Sequence, residues 1–89
     1  MENEKHGKVE KLKEIVVNTY REGFEVVFMM VKDEYKGINV YQVHSMLRKD
    51  GKIIDIYESQ VSYSERDAGD YFDLLVNTYL RYRHAKIVK

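Results

Sequence analysis

Phe24-Glu25-Val26-Val27-Phe28-Met29-Met30-Val31 is the stretch on which the fold turns. Its β-branched and aromatic residues favour extended chain, whose period of two separates Phe24, Val26, Phe28 and Met30 from Val27, Met29 and Val31. Both sets are apolar. A strand of this kind needs cover on two faces, and the helices of an 89-residue chain can hardly supply all of it. The surplus points to a partner surface, most simply a second copy of the chain.

Reading toward the C-terminus, Asp33-Glu34-Tyr35-Lys36-Gly37 is a turn-rich connection and Ile38 to Arg48 a second strand. Lys49-Asp50-Gly51-Lys52 then carries the Asp-Gly pair that supplies the positive φ of a tight hairpin. A third strand runs from Lys52 to about Tyr57 or Gln60. Strict alternation along it places Ile54 and Ile56 on one face and Ile53, Asp55 and Tyr57 on the other. Ser64-Glu65-Arg66-Asp67 resembles a capping box with Asp in the place of Glu, and Ser62 to Glu65 offers a competing one. Beyond it Ala68, Tyr71, Phe72, Leu75, Tyr79 and Tyr82 line one face of a helix that extends to about His84. Gly69 inside that helix costs about 1 kcal/mol relative to alanine, which predicts a close crossing over the sheet.

Toward the N-terminus, Val9, Leu12, Ile15, Val16, Thr19 and Tyr20 form a one-sided stripe at helical spacing, with Glu10, Lys11, Lys13, Glu14 and Asn18 opposite. The stripe predicts an amphipathic helix over residues 8–20. Against it stand the β-branched run Ile15-Val16-Val17 and Arg21-Glu22-Gly23, which could turn a hairpin into the strand at Phe24. Glu14 to Tyr20 is echoed by Asp73 to Tyr79, four of the seven residues being identical, and the second copy lies within the C-terminal helix. Four identities reflect similar amphipathic demands rather than a duplication.

The expected class is α+β. A three-stranded antiparallel β-meander is flanked by an N-terminal helix and a longer C-terminal one in the order α-β-β-β-α. Residues 8–89 form one small domain behind a flexible segment, 1–7. If residues 8–20 are extended, the fold becomes a four-stranded meander plus the C-terminal helix. The order α-β-β-β-α is similar to that of the double-stranded RNA-binding domain. Ser64-Glu65-Arg66-Asp67-Ala68-Gly69 stands where that family has Ser-Lys-Lys-x-Ala-Lys, with Glu65 and Gly69 replacing the first and last lysines. The resemblance is one of element order, and fold does not imply function.

Fifteen Lys and Arg balance fifteen Asp and Glu, so no global field draws the chain onto nucleic acid or an anionic membrane. The absence of cysteine removes disulfides and thiol–zinc sites. Met1 to His6 has no apolar leader and no run approaches the ~18 apolar residues of a membrane span, so the expected location is cytoplasmic. No residue pattern marks a catalytic site, a metal site or a cofactor loop. His6, His44 and His84 are too widely spaced to share a metal ion. His44 with Asp55 across a hairpin would be the one proton-transfer pair, although a hydrogen-bonded structural histidine accounts for it as well.

Two surfaces remain. Val27, Met29 and Val31, with the strand tyrosines Tyr41 and Tyr57, form a candidate interaction surface of the kind tyrosine favours. The expected function is a small protein-binding module, an adaptor, inhibitor or regulator, most simply a homodimer with an unknown protein partner. The alternative is a nucleic-acid-binding protein using Arg81, Arg83, Lys86 and Lys89, where cations also suit the last turns of a helix.

Overall fold

Four strands and one helix follow one another: β1 (His6–Asn18), β2 (Phe24–Tyr35), β3 (Ile38–Lys49), β4 (Lys52–Ser62) and α1 (Glu65–Val88). They are seen in a computed structural model that describes the backbone of residues 6–88 and the side chains of residues 9–81. The strands form one antiparallel sheet in the order β1-β2-β3-β4.

Two turns fix its register. Lys36 and Gly37 have φ of 54° and 80°, and Asp50 and Gly51 have 51° and 85°. Two successive positive φ values make a type I′ turn, whose twist matches that of the strands it joins. The Asp-Gly pair therefore acts as its sequence implies. The first turn is tighter than the sequence suggests, because Tyr35 still pairs with Ile38 and only Lys36 and Gly37 lie outside the ladder. The β1–β2 loop is closed by Thr19, whose hydroxyl lies 3.0 Å from the Phe24 carbonyl and accepts from the Arg21 N–H at 3.1 Å.

The expected N-terminal helix is not formed. Residues 8–20 belong largely to β1, which pairs with β2 from His6↔Tyr35 to Asn18↔Glu25. The fold is thus the four-stranded meander plus C-terminal helix, and the element order no longer matches that of the double-stranded RNA-binding domain. The physical reason lies in a register shift between Lys11 and Lys13. The extra residue, Leu12, packs against the core beneath α1, and Lys13 also reaches that side to meet Asp73 at 3.7 Å. The bulge breaks the two-residue alternation, so Val9, Leu12, Ile15 and Val16 acquire a helical spacing without being helical.

α1 begins where the cap predicts. The Ser64 hydroxyl accepts from the Asp67 N–H at 3.2 Å, and Glu65 and Asp67 place negative charge in the first turn. At 24 residues the helix is about 36 Å long, and it packs on β2, β3 and β4. Ala68, Phe72 and Val76 are its buried residues among those described, and they meet Val26, Phe28 and Met30 of β2, Tyr41 and Val43 of β3, and Val17 of β1. Tyr71 sits at the margin and donates to Glu58 Oε1 at 3.2 Å. Burial is the main cause that raises its phenol pKa, followed by that bond to Glu58.

Gly69 does not mark a close crossing. A Cβ there would meet only Lys13 Nζ, at 3.9 Å, which is ordinary contact. Gly69→Ala is therefore expected to raise stability by about 0.5–1 kcal/mol, through the lower backbone entropy of alanine in a helix. Urea unfolding checks this, and an unchanged or lower midpoint would mean that the position is constrained in some other way.

Candidate functional site: the open face of the sheet

α1 lies on one face of the sheet, and among the described residues no element lies on the other. Directly paired residues in antiparallel strands share a face, so the ladders give the composition of the open one. Val16, Val27, Met46 and Ile56 form a row that crosses all four strands. The next row along the sheet is Glu14, Met29, His44 and Ser59, and beyond it comes Lys11, Val31, Gln42 and Val61. On the other side lie Asn18, Glu25, Arg48 and Ile53.

The first row is the apolar centre. Val27 is only 1% exposed although no layer of the described residues covers it, so side chains of its own face enclose it. Its flanks are open, Val16 being 42% and Ile56 60% exposed. Val61 and Ile53 extend the patch along β4, whose residues Lys52 to Val61 are all exposed. Two ion pairs lie within this face. Arg48 Nη2 lies 2.8 Å from Glu25 Oε1, and Lys11 Nζ lies 2.7 Å from Glu14 Oε1. The Lys11 bond is the main cause that holds the Glu14 carboxyl below its usual pKa.

His44 stands among these residues as a hydrogen-bonded side chain. Its Nε2 lies 3.1 Å from Gln42 Oε1 and its Nδ1 2.5 Å from Ser59 Oγ. Both ring nitrogens are thus engaged, one donating and the other accepting when the ring is neutral. Asp55 is not its partner. Asp55 pairs with Leu47, on the side of the sheet that carries α1.

Burial lowers the His44 pKa below 6.5. The unfolded chain therefore takes up the proton first as pH falls. The stability contributed by the neutral ring is complete above about 6.5 and is lost as pH falls through the lower, folded value. Unfolding midpoints at pH 7.5 and 5.0 are expected to drop by more in the wild type than in His44→Gln. Equal drops would remove His44 as the cause.

The residues singled out in the sequence divide between the two faces. Val27, Met29 and Val31 are together on the open one. Tyr41 is in the core beneath α1, 7% exposed, because it alternates onto the same side of β3 as the buried Val43 and Ser45. Tyr57 is also on that side, beside Leu75 and Tyr79. Its placement follows from two register shifts in β4, between Ser45 and Met46 and between Leu47 and Arg48 on the β3 side. These shifts bring Ile53 and Ile56 onto one face, where strict alternation would separate them.

Arg81 is exposed at the far end of the described side chains. The side chains of Arg83 and Lys86, and Lys89 as a whole, lie outside the described residues, as do residues 1–5. Among the described residues no group of three His, Asp or Glu could hold a metal ion, and no helix is long and apolar enough to cross a membrane. Val16, Met46, Ile56, Val61 and the Glu25–Arg48 pair belong to the open face but were not singled out from the sequence. Met46 was legible once the turn was placed at Lys36-Gly37, since the pairing Val27↔Met46 follows by counting.

Comparison with protein-family models, with curated proteins and with solved structures returns no match.

Proposed function

We propose that the protein is a small protein-binding module that works as a homodimer, with the open face of the sheet as its seam. The row Val16, Val27, Met46 and Ile56 carries this reading, because it sets four apolar side chains in register across a face that no element covers among the described residues. Its size suits a stable dimer. Four strands about 4.8 Å apart and roughly 40 Å long present a face of about 700 Å², close to the ~800 Å² that each partner buries in a typical specific interface.

The charge pattern favours a second copy over a charged partner. Glu25–Arg48 and Lys11–Glu14 are closed within the face, so it offers apolar surface rather than a field. A two-fold arrangement would stack the two sheets with strands about 30° apart and bury each Val16–Ile56 row against its symmetry mate. The edge of β4 and the outer side of α1, with Leu74 and Leu80 exposed, then remain for a further partner. On this reading the protein acts by occupancy of its surfaces, as an adaptor or regulator does.

Light scattering at tens of micromolar tests it. The expected mass is twice the 10.6 kDa of the chain. A clean monomer would overturn the homodimer.

A further inference from the structure

His44 lies on the open face of the sheet, one row from its apolar centre, and it is the one histidine among the described side chains. It is half-buried there. Its partners across the ladders are Met29 on β2 and Ser59 on β4, and the alternation of β3 puts Gln42 and Met46 beside it on the same face. The positions that adjoin the ring are therefore uncharged. The charged side chains described on this face lie further off. Glu14 is about 10 Å away across two strands and is held by Lys11. Glu25 and Arg48 pair with each other beyond the central row. Asp33 lies on β2 past Val31. Asp55 and Glu58 of β4 pair with Leu47 and Ser45, on the side that carries α1.

Protonation gives the imidazole two N–H donors and a positive charge. A single chain accommodates both. Ser59 Oγ and Gln42 Oε1, which already meet Nδ1 and Nε2, can each accept, and the open face leaves the cation within reach of water. In the homodimer a second sheet replaces that water. A two-fold copy brings the same face, whose Glu14 and Glu25 are held by Lys11 and Arg48. The cation then loses hydration without gaining a carboxylate, which disfavours the charged form.

We infer that His44 makes the homodimer dependent on pH, the seam closing over two neutral imidazoles and opening when they take up protons. This regulation rests on the homodimer reading. Burial within one chain already lowers the His44 pKa below its ordinary 6.5, and a covering sheet lowers it further. The dimer therefore binds fewer protons than two separate chains. Association is at full strength above the pKa of the single chain and weakens as pH falls through it. With one proton taken up per chain, the dissociation constant rises by up to about a hundredfold per pH unit below that point.

Sedimentation velocity over a dilution series at pH 7.5, 6.0 and 5.0 tests it, with far-UV circular dichroism confirming a folded chain at each pH. The wild type is expected to be dimeric at pH 7.5, its dissociation constant rising by about tenfold or more at the lowest pH that keeps the fold. His44→Gln is neutral throughout and retains His6 and His84, and its constant is expected to change by less than about threefold over the same range. His44→Leu, neutral by a different side chain, is expected to behave likewise. A wild-type dimer whose constant does not move with pH overturns the regulation and leaves the homodimer standing. The same rise in both variants also overturns it, because the responding group is then not His44. A wild type that is monomeric at pH 7.5 overturns the homodimer and its regulation together.

Discussion

Truncating Phe72 to alanine is expected to cost about 3–5 kcal/mol, the range for a buried aromatic side chain. Phe72 is 1% exposed and is among the largest fully buried side chains of the chain. It sits on the helix between Ala68 and Val76 and packs into the single layer that joins α1 to the sheet. Lys13 Nζ adds a cation–π contact from β1, 5.4 Å from the ring centroid. The fold has little reserve against such a loss. At roughly 0.05–0.15 kcal/mol per residue, a domain of this length has about 4–13 kcal/mol in all.

Because α1 is one helix on one face, no second layer can close over the cavity. Urea unfolding of Phe72→Ala beside Leu74→Ala makes the comparison internal. Leu74 is 60% exposed on the same helix, and its truncation is expected to stay within about 0.5 kcal/mol of wild type. A loss below 1 kcal/mol for Phe72 would mean that α1 does not dock on the sheet through this face.

The parts of the fold that could be read from the sequence were those fixed by local chemistry. The Asp50-Gly51 turn, the Ser64 cap and the two-sided strand at Phe24 depend on neighbouring residues, and each is found where it is expected. The N-terminal segment depends instead on what it pairs with. Val17-Asn18-Thr19-Tyr20 and Val76-Asn77-Thr78-Tyr79 are the same four residues, yet the first copy ends a strand and the second lies inside a helix. Val17 and Val76 even enter the same core, from opposite sides. Local pattern did not separate the two states, because the Leu12 bulge gives β1 a spacing that imitates a helical stripe.

The candidate site was half legible for the same reason. Val27, Met29 and Val31 follow from alternation in a regular strand. Tyr41 and Tyr57 required a register, and Tyr57 required bulges that leave no mark in the composition of β4. Tyrosine content suggested a surface. The ladders show that the open face is built of valine, isoleucine and methionine, while these two tyrosines stand on the helix side.

Placing lysine at both Val16 and Ile56 is expected to convert the homodimer to a monomer and leave the protomer folded. The two positions are the ends of the central row, on the edge strands, and at 42% and 60% exposure both reach solvent within one chain, so a charge there stays hydrated in the monomer. In the dimer the same ammonium groups would lie between two sheets. Two acids of the face, Glu25 and Glu14, are already engaged by Arg48 and Lys11. An unpaired buried charge costs several kcal/mol, and 2.8 kcal/mol already corresponds to a hundredfold in affinity, so dissociation should be complete at micromolar protein. Sedimentation velocity reads the association, and far-UV circular dichroism with the unfolding midpoint reads the fold. A variant that remains dimeric would place the seam elsewhere, with the exposed edge of β4 the next position to substitute. If the variant unfolds, single lysine variants separate the two effects, because each side chain is exposed on its own edge strand and has no core to disrupt.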